Sequence, residues 1–459
     1  GRLVSSARRP ELAVNSFPMA DAGMLQQAGQ MLQSIRAFLF RILGLLAPAL
    51  AADGLQVPQS AQRRQHSLKG ESFESRGVTR TPAEAEANAT ARAVERLRRL
   101  YGSSSMSYCT SGAANRIGAP ERDLRYFLLG APGAETGYVA YADHSVLGVR
   151  LRCVIMDPVG APDALEDLIA GFIRDARAAG ARPYFCCVSA AFAPLLAAHG
   201  LHTTRLGAEV AVPLASYSTP KERRRYMRAA QTKGLECLPT CPDLAELEEL
   251  NAAWLAHKAS GQEASIWTWA PSLPRPAGGG GGAADGQDDE VIRLFTYQDG
   301  KLIGFVGAEP YYRGDGSGDL AGYGLNTIRF LPGVGPNWAS DFTVAMLIER
   351  LQAEGRVEHL AFGVSPFTEL SRHAGDTWFL AGIFELLWDL DLKCFYSFVG
   401  LAKKKAQHCA GQGVHLDYRL ICGPRDTAIR DFCCFLVLLA DGSVSKIPRE
   451  VRGMLLRGA

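Results

Sequence analysis

From residue 81 onward the chain switches repeatedly between two hydrophobic periodicities. Thr81-Pro82 supplies an N-cap and a first-turn proline, and residues 83–101, rich in Ala, Glu and Arg, predict a helix. Short apolar runs follow at 126–129, 137–141 and 146–156, separated by Gly and Pro, which is the pattern of consecutive strands. A helix over 164–179, a strand over 182–188, a helix over 192–199 and a strand over 208–214 complete a first cycle. Strands, helix, strand, helix, strand is the order of a mixed α/β layer.

A second cycle repeats that order without repeating the residues. Helices are predicted over 219–232 and 243–260, and strands over 291–297 and 301–310 make a hairpin around Asp299-Gly300. A strand over 322–330, a helix over 338–353, a strand over 359–364 and an aromatic strand over 395–401 that runs into Lys403–Lys405 follow. Residues 271–289, with Pro, five consecutive glycines and acidic residues, read as a flexible surface insertion. The economical organisation is two related α/β (α+β) units in tandem. They span 81–218 and 235–420, joined by a helix over 219–234, with a segment 1–77 before them and an extension 421–459 after them.

Residues 1–77 are polar and lack sustained periodicity, which suits a targeting or disordered segment. The exception is 37–52, where an apolar run is interrupted by Arg41 and closed by Pro48. No stretch reaches the ~18–20 apolar residues of a spanning helix. A targeting segment for an organelle or the ER, an amphipathic membrane-surface helix and a helix packed on the fold all remain open for 37–52.

The composition, 47% hydrophobic and 21% charged with a mean hydropathy of −0.01, is that of a folded chain rather than a disordered or multi-spanning one. A formal net charge of +2 gives no global pull toward nucleic acid or anionic membrane, so any such attraction must come from a local patch. The 11 cysteines form no paired C-x-x-C pattern with zinc spacing, and the neighbours Cys186/Cys187 and Cys433/Cys434 sit in apolar runs. That usage points to a reducing compartment and to no metal site.

Ordered landmarks carry a family resemblance. The runs 137–141 (GYVAY), 157–160 (DPVG) and 206–211 (LGAEVA), the basic stretch 221–228 (KERRRYMR), the strand 359–366 (HLAFGVSP) and the segment 395–401 (FYSFVGL) with Lys403–Lys405 together resemble the C-terminal domain of bacterial phosphatidylglycerol lysyltransferases. The resemblance covers about residues 94–420 in order. It implies two tandem acetyltransferase-like (GNAT-like) units, the second taking an aminoacyl group from aminoacyl-tRNA and delivering it to a lipid hydroxyl, on a membrane-associated protein without a cofactor. By the same resemblance Lys405 falls on a family lysine near the donor. Two departures are visible: where the family has Asp three residues before Arg this chain has Asn326 and Arg329, and the family's multi-spanning membrane half has no counterpart here.

The residues themselves add chemistry. Lys221, Arg224, Arg225 and Arg228 fall at i, i+3, i+4 and i+7, one cationic face of a helix. Such a face suits the phosphates of tRNA, a lipid headgroup or a coenzyme, and equally a solvated surface. Asn326 and Arg329, three apart, would point to opposite faces of a regular strand, so a bulge is needed to aim both at one cleft. Arg329, Asn326 and Lys405 are the candidates for stabilising a tetrahedral oxyanion, and Asn326 cannot serve as a base. Gly333 and Gly335 before the next helix offer a pyrophosphate loop, which keeps acyl-CoA open as an alternative donor. Asp341 opens that helix as a substrate contact or a helix-start charge, and Ser365-Pro366 shapes the cleft wall. Trp267 and Trp269 could stack on a base or pack at the rim. Aminoacyl-tRNA-dependent transferase, acyl-CoA N-acyltransferase and non-catalytic membrane- or RNA-associated module are the three readings.

Overall fold

In the computed structural model the described residues are 82–110, 124–146, 149–239, 244–257, 290–370, 380–382, 384, 385, 388 and 398–424. The segment 1–77, the insertion 271–289, Trp267, Trp269, Cys433/Cys434 and the extension beyond 424 lie outside them.

Helix α1 (Pro82–Tyr101) and a 3-10 turn (Ser107–Thr110) precede β1 (Arg125–Leu129), β2 (Gly137–Val146), β3 (Val149–Ile155) and the short β4 (Val159–Gly160). Then come α2 (Leu165–Ala178), β5 (Arg182–Ser189), α3 (Ala193–Ala198) and β6 (Leu201–Pro213). Helices α4 (Lys221–Thr232) and α5 (Leu244–Ala256) flank β7 (Leu235–Leu238). The second cycle is β8 (Ile292–Gln298), β9 (Lys301–Tyr312), β10 (Leu320–Phe330), α6 (Ala339–Glu354), β11 (His359–Pro366), α7 (Phe398–Cys409) and β12 (Val414–Pro424). The order β1-β2-β3-α2-β5-α3-β6 is thus matched by β8-β9-β10-α6-β11-α7-β12.

The repeats share their packing logic. In the first, Leu168, Ile169, Phe172 and Ile173 of α2 bury against Val139, Val154 and Phe185. In the second, Val344, Leu347, Ile348 and Leu351 of α6 bury against Leu294, Val306, Tyr323, Leu325 and Leu360. Each repeat also pairs its third strand in parallel with the strand after its helix, β3 with β5 and β10 with β11. Near the end of each of those later strands one buried-strand residue takes a left-handed conformation, Cys187 at φ 64 and Gly363 at φ 66.

The final strands are exchanged. Among the described residues the sheet runs β1-β2-β3-β5-β12-β6-β11-β10-β9-β8-β7, so β12, last strand of the second cycle, lies against β5 of the first, and β6, last strand of the first, lies against β11 of the second. The two exchanged strands pair with each other in the middle. A division of the chain at 218–235 therefore separates the cycles along the sequence while the sheet interleaves them.

Two sequence expectations are corrected. Residues 398–401 are not the end of a strand; they open α7, which carries Lys403–Lys405 on a helix. Alternating aromatics at 395–401 imitate a strand, yet the following Ala/Lys run has strong helix propensity. The sheet also continues past residue 420 to Pro424, in a central strand absent from the sequence reading.

What fastens the exchange is a buried charge cluster. Arg419 of β12, 2% exposed, donates from Nε to Glu209 Oε2 of β6 at 2.9 Å, from Nη1 to Asp157 Oδ2 at 3.1 Å and from Nη2 to Ser104 Oγ at 3.1 Å. Ser105 donates its hydroxyl to the other Glu209 oxygen. Asp157 Oδ1 accepts the Ser189 amide at 2.6 Å, so the gap beyond the ends of β3 and β5 is bridged and filled.

Removing the guanidinium leaves two buried carboxylates without their counter-charge, which costs about 3–5 kcal/mol. Arg419→Met should lower the denaturation midpoint accordingly, whereas the exposed pair mutant Arg350→Met should stay within about 1 kcal/mol; equal midpoints for both in urea unfolding would show that the cluster does not hold the strands.

Candidate functional site

Strands β10 and β11 pair over three positions only, Gly322 with His359, Tyr323 with Leu360 and Gly324 with Ala361. Beyond them the strands diverge, and a cavity of about 190 Å³ opens between residues 325–329 of β10 and Phe362, Gly363, Val364 and Pro366 of β11. Its remaining walls are Met106 and Tyr108 from the 3-10 segment, Trp254 of α5, and Phe398, Leu401, Lys404, Lys405 and His408 of α7. Gly324 makes this possible: a Cβ there would stand 2.2 Å from the Ser105 carbonyl oxygen, so only glycine lets the segment carrying Met106 and Tyr108 cross the strand.

The bulge required by the spacing of Asn326 and Arg329 is present. Leu325 is opposite Ala308 and Thr327 opposite Gly307, leaving Asn326 as the extra residue. Tyr323 and Leu325, and after the bulge Ile328 and Phe330, pack with the α6-side core. The one-residue shift puts Asn326 and Arg329 on the opposite face, in the cavity wall.

Each candidate has a defined setting. Arg329 is 2% exposed, its guanidinium carbon 4.5 Å from the centre of the Trp254 ring. Asn326 Nδ2 donates to Glu309 Oε1 of β9 at 3.2 Å, while its buried Oδ1 and the Thr327 hydroxyl have no hydrogen-bond partner among the described residues. Lys405 Nζ donates to the carbonyls of Val364 at 2.6 Å and Gly363 at 3.1 Å, and burial pulls its ammonium down to about 8 despite the opposing fields of Glu209, Cys187 and Cys409. Arg329, Lys405 and Asn326 therefore line one cavity.

The other sequence candidates lie around it. Asp341 Oδ2 accepts from Lys404 Nζ at 2.7 Å, and its Oδ1 is 3.4 Å from His408 Nδ1. Its contacts tie α6 to α7 behind the cavity wall. Ser365 is buried and lines a separate groove of about 930 Å³ with Ala208, Val210, Phe367 and Val414, on the other side of α7. Lys221, Arg224, Arg225 and Arg228 are all exposed on α4, with no ion pair to any described residue. The opposite side of that helix is anchored, since Tyr226 stacks on Trp338 at 5.2 Å and Ala230 is buried. Gly333 and Gly335 both take φ 71 in the turn before α6.

Sequence reasoning missed four participants. Trp254 stands in the helix α5 without a local sequence signal that marks it. Glu309 is 17 residues from Asn326 in the chain, on the neighbouring strand β9, and Arg223 sits inside the basic run yet is the one buried member, donating to Tyr217 OH at 3.3 Å and to the Gln407 carbonyl. His408, 1% exposed, is held well below the usual histidine range by burial and by the nearby cations Lys404 and Arg223. Only its position one helical turn after Lys404–Lys405 signalled it. Among the described residues no group of three or more His, Cys, Asp or Glu could hold a metal ion, and no helix is long and apolar enough to cross a membrane.

Comparison with known proteins gives a consistent set of likenesses. The family profile described as phosphatidylglycerol lysyltransferase, C-terminal, matches residues 134–408. The crystal structure of the C-terminal domain of a protein described as a lysylphosphatidylglycerol synthetase of Agrobacterium fabrum is similar at a TM-score of 0.55 and 18% identity, over 76% of this chain and 97% of that one. The structure of L-PGS from Bacillus licheniformis is similar at a TM-score of 0.55 and 17% identity, over 80% of this chain and 99% of that one. No curated protein matches in sequence.

The contact between Asn326 and Glu309 predicts the outcome of placing a carboxylate at 326. In Asn326→Asp two carboxylates would meet at about 3 Å and share a proton, raising the folded pKa of one above its unfolded value. The native state then binds more protons than the unfolded chain as pH rises from about 4, so stability falls with rising pH. The midpoint difference between wild type and Asn326→Asp should widen from pH 4 to pH 7; a pH-independent difference would separate the two side chains.

Proposed function

The chain belongs to the phosphatidylglycerol lysyltransferase C-terminal family, a family of aminoacyltransferases, and we propose that its second cycle moves an aminoacyl group from aminoacyl-tRNA to a hydroxyl of phosphatidylglycerol or a similar anionic phospholipid. The observation that supports this most is the convergence of Arg329, Lys405 and Asn326 on the cavity between the diverging strands β10 and β11. Ester exchange needs no redox centre and no metal. The oxygen of the acceptor hydroxyl attacks the ester carbonyl, negative charge collects on the carbonyl oxygen, and the tRNA ribose oxygen leaves carrying the proton that the acceptor hydroxyl gives up.

Charge development is what the cavity is built to meet. Arg329 carries a permanent positive charge, packed against the Trp254 face where water is excluded. Lys405 supplies a second cation below pH about 8. Preorganised donors at a developing oxyanion act strongly in a water-poor site because nothing must reorganise at the moment of reaction. Asn326, an amide fixed by Glu309, orients the substrate and takes no proton.

The exposed stripe Lys221, Arg224, Arg225 and Arg228 suits the polyanionic partners of such a reaction, both a tRNA and a phospholipid surface. The family is membrane-associated, and with no spanning helix among the described residues this stripe is our proposed contact with the membrane. A second reading draws on the Gly333 and Gly335 turn before α6: its backbone suits a coenzyme pyrophosphate at a helix N-terminus, which would make the donor an acyl-CoA.

Purified protein supplied in parallel with labelled aminoacyl-tRNAs and acyl-CoAs over phosphatidylglycerol vesicles decides between the donors: label should pass to lipid from aminoacyl-tRNA only. Arg329→Ala should lower kcat about 10²–10³-fold, and Lys405→Ala by a similar factor, with wild-type melting behaviour. Wild-type activity should decline as pH rises through about 8, where Lys405 loses its proton, and Lys405→Arg should remove that decline. Neither alanine variant altering transfer would end the assignment.

Reversing Arg224 and Arg228 to Glu should abolish binding to tRNA and to anionic vesicles in filter and flotation assays while leaving the fold intact. For the wild type, log affinity should fall linearly with log salt, with a slope that shrinks by about one for each phosphate contact removed.

A further inference from the structure

The imidazole of His408 is a cavity-wall group whose hydrogen-bonding role the transfer reading leaves unassigned. It comes from the last turn of α7, stacks parallel to Phe362 of β11 at 5.5 Å and is 1% exposed. Its Nδ1 faces Arg223 Nη2 at 3.5 Å with hydrogen-bond geometry, and Asp341 Oδ1 at 3.4 Å. Its Nε2 is buried and has no hydrogen-bond partner among the described residues.

The partners of Nδ1 fix the tautomer. A guanidinium has five donors, no acceptor and no accessible deprotonated form, so a donor–donor clash follows if Nδ1 carries hydrogen. Arg223 is held in place from both ends by Tyr217 OH and the Gln407 carbonyl and cannot swing away cheaply. Asp341 Oδ1, though 3.4 Å from Nδ1, does not stand in hydrogen-bond geometry to it, and its other oxygen is engaged by the Lys404 ammonium. Nδ1 is therefore the acceptor and Nε2 carries the proton. The charged groups facing the ring, Lys404 on α7, Arg223 on α4 and Asp341 on α6, include two cations, and with burial they oppose an imidazolium.

We infer that His408 is a neutral Nε2–H donor to the oxyanion of the transfer reaction, acting beside Arg329 and Lys405, with Arg223 as the positioning residue that selects its tautomer. This rests on the transfer reading above. As the acceptor oxygen bonds to the ester carbon, the carbonyl electron pair moves to oxygen and Nε2–H shortens its hydrogen bond to it. When the carbonyl re-forms and the ribose oxygen departs, that bond lengthens again. His408 neither gains nor loses a proton, so a general-base role is excluded for it.

The test has two independent readouts. In uniformly ¹⁵N-labelled full chain, with His408 assigned against His408→Gln, the imidazole should show a protonated Nε2 and an unprotonated Nδ1 unchanged from pH 5.5 to pH 8, and Arg223→Met should release the ring to the Nδ1–H form or to titration. An Nδ1–H tautomer, or an imidazolium in this range, in the wild type overturns the inference without substrate being present. In the lipid-transfer assay His408→Phe should lose about 10²–10³ in kcat at little changed KM, and His408→Gln, which keeps a donor, should stay within about tenfold of wild type with the same pH profile. Equal losses in Phe and Gln, or disappearance of an acid limb in Gln, overturn it. Transfer by the wild type tests the underlying reading; the tautomer tests His408 alone.

Discussion

Arg419 is the constraint on which the architecture depends. A twelve-stranded sheet assembled from two cycles could keep each cycle's strands to itself, yet here the last strands are exchanged and meet in the centre. A guanidinium on β12 that satisfies Glu209 on β6 and Asp157 beyond β3 is satisfied only in that exchanged arrangement. Any register slip of β12 would carry the charge off its partners and strand three ionised groups in the interior. Burial of the cluster thus acts through specificity: it penalises the alternatives more than it stabilises the native pairing.

The same cluster makes the cycles unequal. Beyond the parallel pair β3–β5 the divergence of strands is closed by Asp157, the Ser189 amide and Arg419. Beyond the parallel pair β10–β11 the described residues show no comparable cluster, and the wall is completed by α7 and by the segment that crosses Gly324. One divergence is filled with a neutralised ion cluster and holds the fold; the other stays open and collects cations. That division of labour explains why the polar candidates concentrate in the second cycle although both cycles use the same backbone plan.

How much of this the sequence reveals depends on the range of the interaction. Element order, the α/β class and the cationic face of α4 follow from local periodicity, and Lys221, Arg224, Arg225 and Arg228 emerge exposed as their helical spacing requires. The bulge at Asn326 was legible as a condition, since two residues three apart share a face of a strand only through one. The exchange of β6 and β12 was not legible, because it is decided by a contact between residues 157, 209 and 419, far apart in the chain. Arg419 reads in sequence as one more arginine ahead of a short apolar run. Residues 398–401 misled for a related reason: an aromatic alternation suits a strand, but packing of Phe398 against Phe367 serves a helix start equally well.

Electrostatics then orders the cavity. Arg329 keeps its charge at any relevant pH because guanidinium protonation is too strong to be reversed by burial. Lys405, a weaker base, is pulled by burial to about 8 and holds its charge conditionally. His408, the weakest base of the three, gives up its charge altogether. A site that crowded three full cations together would bind its ground-state anions tightly and gain little at the transition state. With one permanent cation, one conditional cation and one neutral imidazole beside the Lys404–Asp341 pair, the proposed transfer would meet an attraction that grows as charge develops on the reacting oxygen. Asn326 fits the same scheme. A carboxylate at its position, already within reach of Glu309, would add a negative charge where the proposed transfer would create one; the amide gives a fixed dipole in the same space without that repulsion. In this chain the carboxylate stands one strand away, on β9, and reaches the cavity only through the amide it holds.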